Sequence, residues 1–398
     1  MNREDTLSGY LYVFNVGQAD SLLLSPVDKC TYENIPILID CGQGSRNVFG
    51  YRGIEEKQIV LVLSHSHEDH IGGLSYLFNV RKAVLKELWL PFYSDEIAKI
   101  SNFIFSLKGV SEVLGNTKEE YQLKGIIDTH RYLKEILKTV GCEKVLGVGR
   151  GDQLCEHISV YNPPVDPDLA LGLPKGTAKA YFEEQRQNSF SDIRRWLAEN
   201  EFKRIWASFI SEGWDYSIPN LISDDRLSWQ MRMEFIYGFL YKAKSSIDSF
   251  VESHKIGYFK KVAEAVKLSA NDISVVFEYQ SDQLSCLLTG DIGKKALKKC
   301  LKGRTEKPLQ IFKFPHHGSK NSLDISVLNK LKPEVVVISH DNGKFGRQKD
   351  AHPNREVLEA LLNMKVKVLC TNDVIKNGEV FLKKGDGAGR AIIEELVH

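Results

Sequence analysis

The sequence lacks the marks of secreted and membrane-spanning proteins. Its seven cysteines are an odd number and include no C-x-x-C pair, which excludes a disulfide framework and a structural zinc ribbon. Its apolar runs, such as IVLVLS (59–64), are about six residues long, whereas a membrane-spanning helix needs about 20. The first 16 residues contain no apolar stretch of signal-peptide length. We therefore expect a cytoplasmic protein with no membrane partner.

An excess of charge of one sign is also absent. Lys and Arg number 53 against 52 Asp and Glu, a formal net charge of +1, so the chain is not a basic nucleic-acid coat. Hydrophobic residues make up 42% and charged residues 26%, a globular balance that excludes a disordered or fibrous chain. The 398 residues are two to three times a typical domain of about 150, so the length allows one elaborated domain or two.

Short apolar segments typical of β-strands fill two stretches of the chain, residues 10–64 and 273–384. Helix-like segments lie between the strands, and the similar texture of the two stretches predicts two similar halves stacked together. We assign both stretches to one domain, residues 1–166 and 271–398.

Residues 167–270 have helical periodicity and nearly balanced charge, and we assign them to a helical insertion subdomain. Four of the five tryptophans lie there: Trp196, Trp206, Trp214 and Trp229. The simpler interpretation is that these aromatic residues form the core of the insertion. The alternative is that some of them line a substrate cleft or bind a protein partner.

The segment SHSHEDHIGG (64–73) carries the strongest chemical signal. It places His65, His67, Asp69 and His70 within six residues, directly after an apolar strand and before a helix. Imidazole and carboxylate are good ligands for Zn²⁺ and similar ions. In extended chain His65 and His67 project to the same side, and the glycine pair lets the chain turn tightly into the helix. The segment predicts a metal site, with a solvated histidine cluster as the alternative.

This segment resembles the signature of the metallo-β-lactamase superfamily. The resemblance implies an αββα sandwich of the α/β (α+β) class, here with a helical insertion, that usually binds two metal ions. We expect zinc, with manganese as the alternative. The resemblance further implies that Asp40, at the end of IPILID, orients a metal-binding histidine, and that Asp291, at the end of LLTGD, bridges both metals. His316 and His317, in FPHHGS, are further ligand candidates.

A closer similarity is to the soluble lactamase-like domain of ComEC, the DNA-uptake channel protein, and to its stand-alone relatives. It rests on the segments VFNVGQADSLLL, NDISVVFEYQSDQLSCLLTGDI, FKFPHHGSKNS and AHPNREVLEAL. The similarity covers residues 9–90, 145–165 and 271–384 and leaves 167–270 unmatched. The channel of ComEC has no counterpart in the sequence, so DNA transport is not implied.

The sequence departs from the wider family near the TGD strand. Where most members have a metal-binding histidine, this chain has Asn271, whose carbonyl oxygen is a weak ligand, so we expect Asn271 to support the site. Either one metal site is less complete, or His316 or His317 fills the gap. His352, in AHPN, is a candidate for the second site, unless it only begins a surface helix. His340 is a rival for that place, unless it is only a buried supporting residue.

Other candidates carry a weaker signal. Ser319 and Lys320 follow the histidine pair, and their hydroxyl and ammonium can meet a phosphate oxygen. Asp20 can orient a ligand or simply cap a turn. Gly17 and Gln18 can offer backbone N–H groups to an anion, or form a plain turn.

Basic residues are concentrated between positions 291 and 320, where only Asp291 and Glu306 oppose them. One interpretation is the solvated face of a helix, and the other is a basic approach that attracts an anionic substrate. The nine basic residues are Lys294, Lys295, Lys298, Lys299, Lys302, Arg304, Lys307, Lys313 and Lys320.

These residues together predict a metal-dependent hydrolase that uses a metal-activated water, because no Ser-His-Asp or Cys-His motif is visible. Asp69 would hold that water, and His352 or Lys320 would stabilise the leaving oxygen. Our first expectation for the substrate is an anionic phosphodiester of DNA or RNA, which makes a nucleic acid the expected partner. The alternatives are a small-molecule phosphoester, such as a cyclic nucleotide or phosphorylcholine-type ester, and a metal-stabilised scaffold that binds a protein partner without catalysis.

Overall fold

The computed structural model describes residues 10–26, 32, 35–43, 57–108, 118–187, 228–341, 352–372, 374–376, 379–382 and 390–392. Within them, strands form two seven-stranded sheets and one two-stranded ribbon, which consists of β14 (Val374–Lys376) and β15 (Glu379–Leu382).

The first sheet contains four strands from the stretch 10–64, which the sequence predicts to be rich in strands. Branched apolar side chains such as those of Ile37 and Val60 are fully buried, as expected for strands covered on both faces. In spatial order the strands are β16 (Arg390–Ile392), β1 (Tyr10–Phe14), β2 (Leu22–Ser25), β3 (Ile37–Ile39), β4 (Gln58–Val62), β5 (Val84–Pro91) and β6 (Lys144–Val148).

The second sheet contains the strands predicted in the C-terminal stretch, together with two strands from residues 153–162. In spatial order they are β7 (Gln153–Cys155), β8 (Ile158–Asn162), β9 (Val276–Gln280), β10 (Ser285–Leu288), β11 (Ile311–Lys313), β12 (Val335–Ile338) and β13 (Lys367–Cys370).

The two sheets repeat one arrangement of pairing. In each sheet the first three neighbouring pairs are antiparallel and the next three are parallel. This confirms the prediction of two similar halves. The strands β3 and β10 hold equivalent positions, and so do β4 and β11. Because β3 runs parallel to β4 and β10 runs parallel to β11, the loops that follow each pair leave the sheet at one edge.

The sheets pack face to face, and helices cover their outer faces. Between them, Trp89 of β5 meets Phe277 of β9 with ring centroids 6.4 Å apart. Separate buried clusters lie on the outer face of each sheet, under helices that contribute residues such as Leu133 and Leu358. The αββα sandwich is therefore confirmed. The described helices are α1 (Glu68–Ile71), α2 (Ser94–Lys108), α3 (Lys118–Val140), α4 (Pro167–Leu171), α5 (Thr177–Gln187), α6 (Trp229–Ser253), α7 (Ile256–Asp272), α8 (Lys294–Cys300), α9 (Ile325–Leu331) and α10 (Arg355–Asn363).

Helices α4 to α7, the described part of the predicted insertion, share one hydrophobic core with α2 and α3. Tyr93, directly before α2, stacks on Phe235 of α6 with ring centroids 4.2 Å apart. The core of these helices is therefore continuous with that of α2 and α3. Trp229 is 56% exposed, and the other three tryptophans, Trp196, Trp206 and Trp214, lie outside the described residues.

Two local differences from the sequence prediction matter for the site. Strand β5 was not predicted, because its apolar residues follow the helix-like segment GGLSYLF and include the charged Lys86 and Glu87. Asn271, expected next to the strands of the TGD segment, lies in the last turn of α7, and β9 begins only at Val276.

In the described part of the chain, no helix combines the length and the apolar character needed to cross a membrane.

Candidate metal centre

The predicted ligand residues meet at the edge of the sandwich where β3, β4, β10 and β11 end. Asp40 follows β3, the segment SHSHEDH follows β4, Asp291 follows β10 and the His316–His317 pair follows β11. The two halves touch here, because the N–H of Val275 donates to the carbonyl of Ser64 at 2.9 Å. Equivalent strand ends of the repeated halves therefore build one site.

Glycine is required where these loops approach each other. Gly290 has a φ of +52°, and a Cβ atom there would lie 2.8 Å from the Cβ of Ser64. Gly72 has an ordinary helical φ of −59°, whereas a Cβ on Gly73 would lie 2.0 Å from the carbonyl oxygen of Cys41. The glycine pair after the motif is thus explained by close packing at Gly73 rather than by a tight turn.

Three residues of the site hold left-handed backbone conformations that favour glycine. The φ angles are 57° for Asp40 and 52° for both His316 and His317. Such conformations cost about 1–3 kcal/mol each and cluster at functional sites, where the surrounding structure enforces them.

Four buried side chains, Asp20, His70, Asp291 and His317, offer ligand atoms that all lie within 4.8 Å of one another. The Nε2 atom of His70 lies 3.4 Å from Oδ1 of Asp291, and Nε2 of His317 lies 3.8 Å from Oδ2 of Asp291. Asp69 joins this group through a distance of 3.3 Å between its Oδ2 atom and Nε2 of His317. Asp291 thus occupies the centre of the group.

Asp40 supports His70 and the loop in front of it. Its Oδ2 atom lies 2.7 Å from Nδ1 of His70 and 2.7 Å from the Ser64 hydroxyl, while Oδ1 accepts the Ser64 N–H at 2.7 Å. An imidazole whose Nδ1–H donates to a carboxylate presents Nε2 to the site.

His65 and His67 form a pair beside this group. Nε2 of His65 lies 2.9 Å from Nδ1 of His67, and the ring centroids of His65 and His70 are 4.1 Å apart. Burial lowers the pKa of His67 to about 4, although Asp69 and Asp291 oppose the shift. Burial also lowers the pKa of His65 well below its usual value. Both imidazoles are therefore neutral at pH 7, which is the form that binds metal.

The negative charge of the buried carboxylates favours a cation at the site. Burial lowers the pKa of His70, but Asp291 and Asp40 outweigh it and raise that pKa well above the usual value. Burial raises the pKa of Asp291, but His316 and His70 outweigh it and hold that pKa well below its usual value. A metal ion bound here would compete with a proton on His70, because a metal-binding imidazole is neutral.

The residues fit one or two divalent cations. Buried Nε2 atoms of His67, His70 and His317 and the buried Oδ1 of Asp291 have no hydrogen-bond partner among the described residues. Two ligands of one ion, each roughly 2.1 Å from it at a tetrahedral angle, lie roughly 3.4 Å apart, close to the 3.3 and 3.4 Å observed here. Histidine nitrogen and carboxylate oxygen suit zinc, and manganese as well.

Lys313 and Asp20 both belong to the site. On the sequence alone, Lys313 is assigned only to the basic stretch and Asp20 only to the weaker candidates. The ammonium of Lys313 donates to the carboxylate of Asp20, and both side chains are buried. The sequence does carry a signal, because Lys313 is a charged residue inside the apolar strand IFKF, where an unpaired ammonium would be costly.

The remaining predicted residues lie around this centre. His316 points its Nε2 to within 3.8 Å of Asp291, and its ring centroid is 5.4 Å from that of His352. The buried His340 lies 2.8 Å through Nε2 from the carbonyl of Asn372.

Three other predicted residues are Ser319, Lys320 and Asn271. Ser319 accepts the N–H of Asn321, and Lys320 is exposed and lies 3.6 Å from Glu356. Asn271 is buried in the last turn of α7, and its Oδ1 atom has no hydrogen-bond partner among the described residues.

A cavity of about 580 Å³ lies over the centre. Its floor contains His67, Asp69, Asp291 and His316. Its described basic residues are Lys118 of α3 and Lys267 of α7.

The basic stretch 291–320 contributes none of its lysines or arginines to the described lining of the cavity. Several of these residues pair with carboxylates instead. Arg304 is buried against Glu278, with Nη2 2.6 Å from Oε1, and Lys298 lies 3.7 Å from Asp324.

Two comparisons with known proteins bear on this site. The family model described as anti-Pycsar protein Apyc1 matches residues 30–128, about a quarter of the chain, which include Asp40 and the SHSHEDH motif. The ComE operon protein 3 of Bacillus subtilis (strain 168) is 30% identical over 112 residues, which are 28% of this chain and 14% of that protein. The chain thus spans about a seventh of the length of that relative. With the fold, these matches support a coarse lactamase-like relationship.

Proposed function

We propose that the chain is a metal-dependent phosphodiesterase and that its substrate is a small anionic phosphodiester of the cyclic-nucleotide class. The observation that carries the proposal is the convergence of buried histidine and aspartate atoms, several without a hydrogen-bond partner among the described residues, at the floor of a cavity. Convergent titratable groups with shifted pKa values in a cavity are typical of an active site.

The comparisons support hydrolysis of this substrate class. The anti-Pycsar family is of the metallo-β-lactamase type and acts on cyclic nucleotides. The cavity supports a small substrate too, because about 580 Å³ lies within the range of about 300–1,000 Å³ of small-molecule sites.

The side chains have distinct roles in this proposal. His65, His67, His70, Asp291 and His317 would hold the metal ions, which when bound supply Lewis-acid activation of water and of the phosphoryl group. Asp69 would accept the proton of the attacking water. Its carboxylate is 30% exposed towards the cavity, and although burial raises its pKa, His70 and His317 outweigh this and keep it ionised.

Substrate charge requires a cationic group at the cavity. Lys267 is placed for that role, because it lines the cavity together with His67 and His316. The ring of His352 meets that of His316 edge to face, where it would hold the His316 ring in place. Lys320, paired with Glu356 at 3.6 Å, would act only after leaving that partner.

A nucleic acid remains the second candidate substrate, and the similarity to the ComE operon protein 3 favours it. A strand of DNA or RNA needs a groove that follows its backbone with repeated positive charge. The lysines of residues 291–320 would have to provide that groove, and they do not line the described cavity.

The test compares substrates on the full chain loaded with Zn²⁺ or Mn²⁺. The substrates are 3′,5′-cyclic nucleotides, single- and double-stranded DNA, RNA and bis-p-nitrophenyl phosphate. We expect cyclic nucleotides to be opened to nucleoside monophosphates, with activity lost on chelation and restored by the metal. His67→Ala should remove the activity, whereas His157→Ala, a half-buried histidine at Gln280 on the second sheet, should not. Faster turnover of DNA or RNA would replace the substrate class, and a metal-loaded chain that cleaves no phosphodiester would overturn the proposal.

A further inference from the structure

One face of α3 lines the cavity over the candidate metal centre. Its residues Lys118, Tyr121, Gln122 and Gly125 are spaced at intervals of three, four and seven, which places them on one side of a helix. Leu123 and Ile126 lie on another side and are buried in the core shared with α2 and the insertion. The helix therefore presents polar and aromatic groups to the cavity.

Tyr121 is the large aromatic side chain of this face. It is 63% exposed, so its ring offers a free face in a cavity whose floor holds histidines and aspartates. A tyrosine ring in such a position stacks readily on a planar heteroaromatic ring. Gln122, one residue further on, carries both a hydrogen-bond donor and an acceptor, which suits the edge of a nucleobase.

Gly125 makes room next to this ring. It lies in the interior of a helix, where glycine is less stable than alanine. A Cβ atom there would meet nothing within 4 Å. Packing therefore does not demand glycine, and its absent side chain leaves space in the cavity.

Lys267 supplies the positive charge from the opposite element, α7. Lys267 lines the same cavity as His67 and His316 on its floor and Tyr121 on α3. Its ammonium is therefore available in the cavity to an anionic group bound over the candidate metal centre.

We propose that Tyr121, Gln122, Gly125 and Lys267 form a nucleotide-recognition subsite. The ring of Tyr121 stacks on the nucleobase, the Gln122 amide binds its edge, Gly125 leaves room for it, and Lys267 pairs with a phosphate oxygen. The inference rests on the proposed function for its substrate class, and it adds that the base is selected by α3 and the phosphate by α7.

The test measures equilibrium binding of nucleoside 5′-monophosphates, ribose 5-phosphate and inorganic phosphate to the zinc-loaded full chain by calorimetry. We expect Tyr121→Ala to weaken nucleotide binding about 5- to 100-fold and to change ribose 5-phosphate binding less than about 2-fold, since only the base stacks. Tyr121→Phe keeps the ring and should restore most of the affinity. Lys267→Met should weaken the binding of all three ligands, because each of them carries the phosphate. Gly125→Leu should block the nucleotide while leaving phosphate bound and the melting temperature undiminished.

Tyr241→Ala is the matched control, because Tyr241 is an exposed tyrosine, 47% accessible, that does not line the cavity. It should bind nucleotides as the wild type does. Three results would overturn the proposed subsite. They are that the wild type binds no nucleotide, that Tyr121→Ala leaves nucleotide binding unchanged, or that Tyr121→Ala weakens the binding of ribose 5-phosphate as much as that of nucleotides. If the wild type still cleaves phosphodiesters when one of these results is found, the proposed function holds and only the subsite is rejected. Tyr121-dependent nucleotide binding without any cleavage would uphold the subsite and overturn the hydrolysis.

Discussion

The ammonium of Lys313 pairs with the carboxylate of Asp20 inside the protein, although 293 positions separate the two residues in the sequence. Lys313 ends β11 of the second sheet, and Asp20 precedes β2 of the first. The pair therefore joins the two halves directly beneath the candidate metal centre. Asp20 also belongs to the four-residue group with His70, Asp291 and His317, so one carboxylate takes part in both the ion pair and the site.

Lys313→Met should destabilise the protein by about 3–5 kcal/mol, because it leaves the Asp20 carboxylate buried without its partner. Urea unfolding followed by circular dichroism measures the change. The double variant Lys313→Met/Asp20→Asn should recover part of the loss, since no uncompensated charge remains. Lys302→Met, on an exposed lysine, should change stability by less than about 0.5 kcal/mol. Equal effects of the two single variants would contradict a structural role for the buried pair.

Asp40→Asn should lower the affinity for Zn²⁺ about 10- to 100-fold, the usual effect of removing a carboxylate that orients a metal-binding histidine. Asparagine tolerates the left-handed backbone that position 40 requires, so the fold should remain intact. Competition against a chromogenic chelator measures the affinity. Asp166→Asn, at the N-cap of α4, is the control and should bind zinc as the wild type does. Unchanged affinity in Asp40→Asn would show that His70 is held by other contacts.

Asp69→Asn should keep the fold but reduce hydrolysis of a phosphodiester about 10²- to 10⁴-fold, as expected when a group that handles a proton is removed. The substitution keeps the size of the side chain and removes its negative charge. Turnover numbers must be compared at equal metal occupancy, measured by atomic emission. Near-wild-type turnover at full occupancy would rule out the assigned role of Asp69.

How far the sequence predicts this site depends on whether its residues are neighbours along the chain. His65, His67 and His70 could be assigned because one strand end and one helix start fix their spacing. The Asp20–Lys313 pair could not, since it forms only when two sheets pack. Lys267 and Tyr121 could not either, because their approach to the cavity depends on how α7 and α3 pack against the sandwich.

The same reasoning explains what the sequence predicted about the fold. Alternating turns and branched apolar segments predict β1 to β4 and β9 to β13 within a few residues, whereas β5 was not predicted. The extent of the helical core could not be predicted, since apolar periodicity shows that a helix has a buried face but not which helix covers it. The stacking of Tyr93 on Phe235 joins two segments that the sequence analysis had placed in separate units.

Asp324→Ala should cost about 1 kcal/mol at pH 7, because Asp324 caps α9 by accepting the N–H groups of Ser326 and Val327. Burial raises the pKa of Asp324, but hydrogen bonds from Ser326 outweigh it, so the folded-state pKa lies below 3.8. A carboxyl group whose pKa is lowered by folding stabilises the fold at pH values above its unfolded-state pKa. This contribution is lost as the pH falls through the folded-state pKa. The cost should therefore be constant from pH 5 to 8 and shrink below about pH 4 in urea titrations. A cost that grows on acidification would contradict this.

The last prediction concerns the attachment of α6 to the sandwich. Arg232 of α6 lies 2.7 Å through Nη1 from Oε1 of Glu96, on α2, and 3.8 Å from Oδ2 of Asp95. All three side chains are buried. Arg232→Met would leave two buried carboxylates without this cation, so we expect a loss of about 3–5 kcal/mol at pH 7. Because α7 follows α6 and carries Lys267, the KM for an anionic substrate should rise as well.

The pH dependence separates this cause from a simple loss of packing. Burial already raises the pKa of Glu96 and Arg232 opposes that shift, so removing Arg232 raises the pKa further. The folded variant then binds a proton at Glu96 that the unfolded chain releases above about pH 4.5. The variant's loss of unfolding free energy should therefore be larger at pH 8 than at pH 5. Arg232→Met/Glu96→Gln should regain part of the stability at pH 8. Arg186→Met breaks an exposed pair with Glu183 and should cost less than about 1 kcal/mol. A deficit that is equal at both pH values, and that Glu96→Gln does not relieve, would mean that Arg232 contributes through its packing and not through its charge.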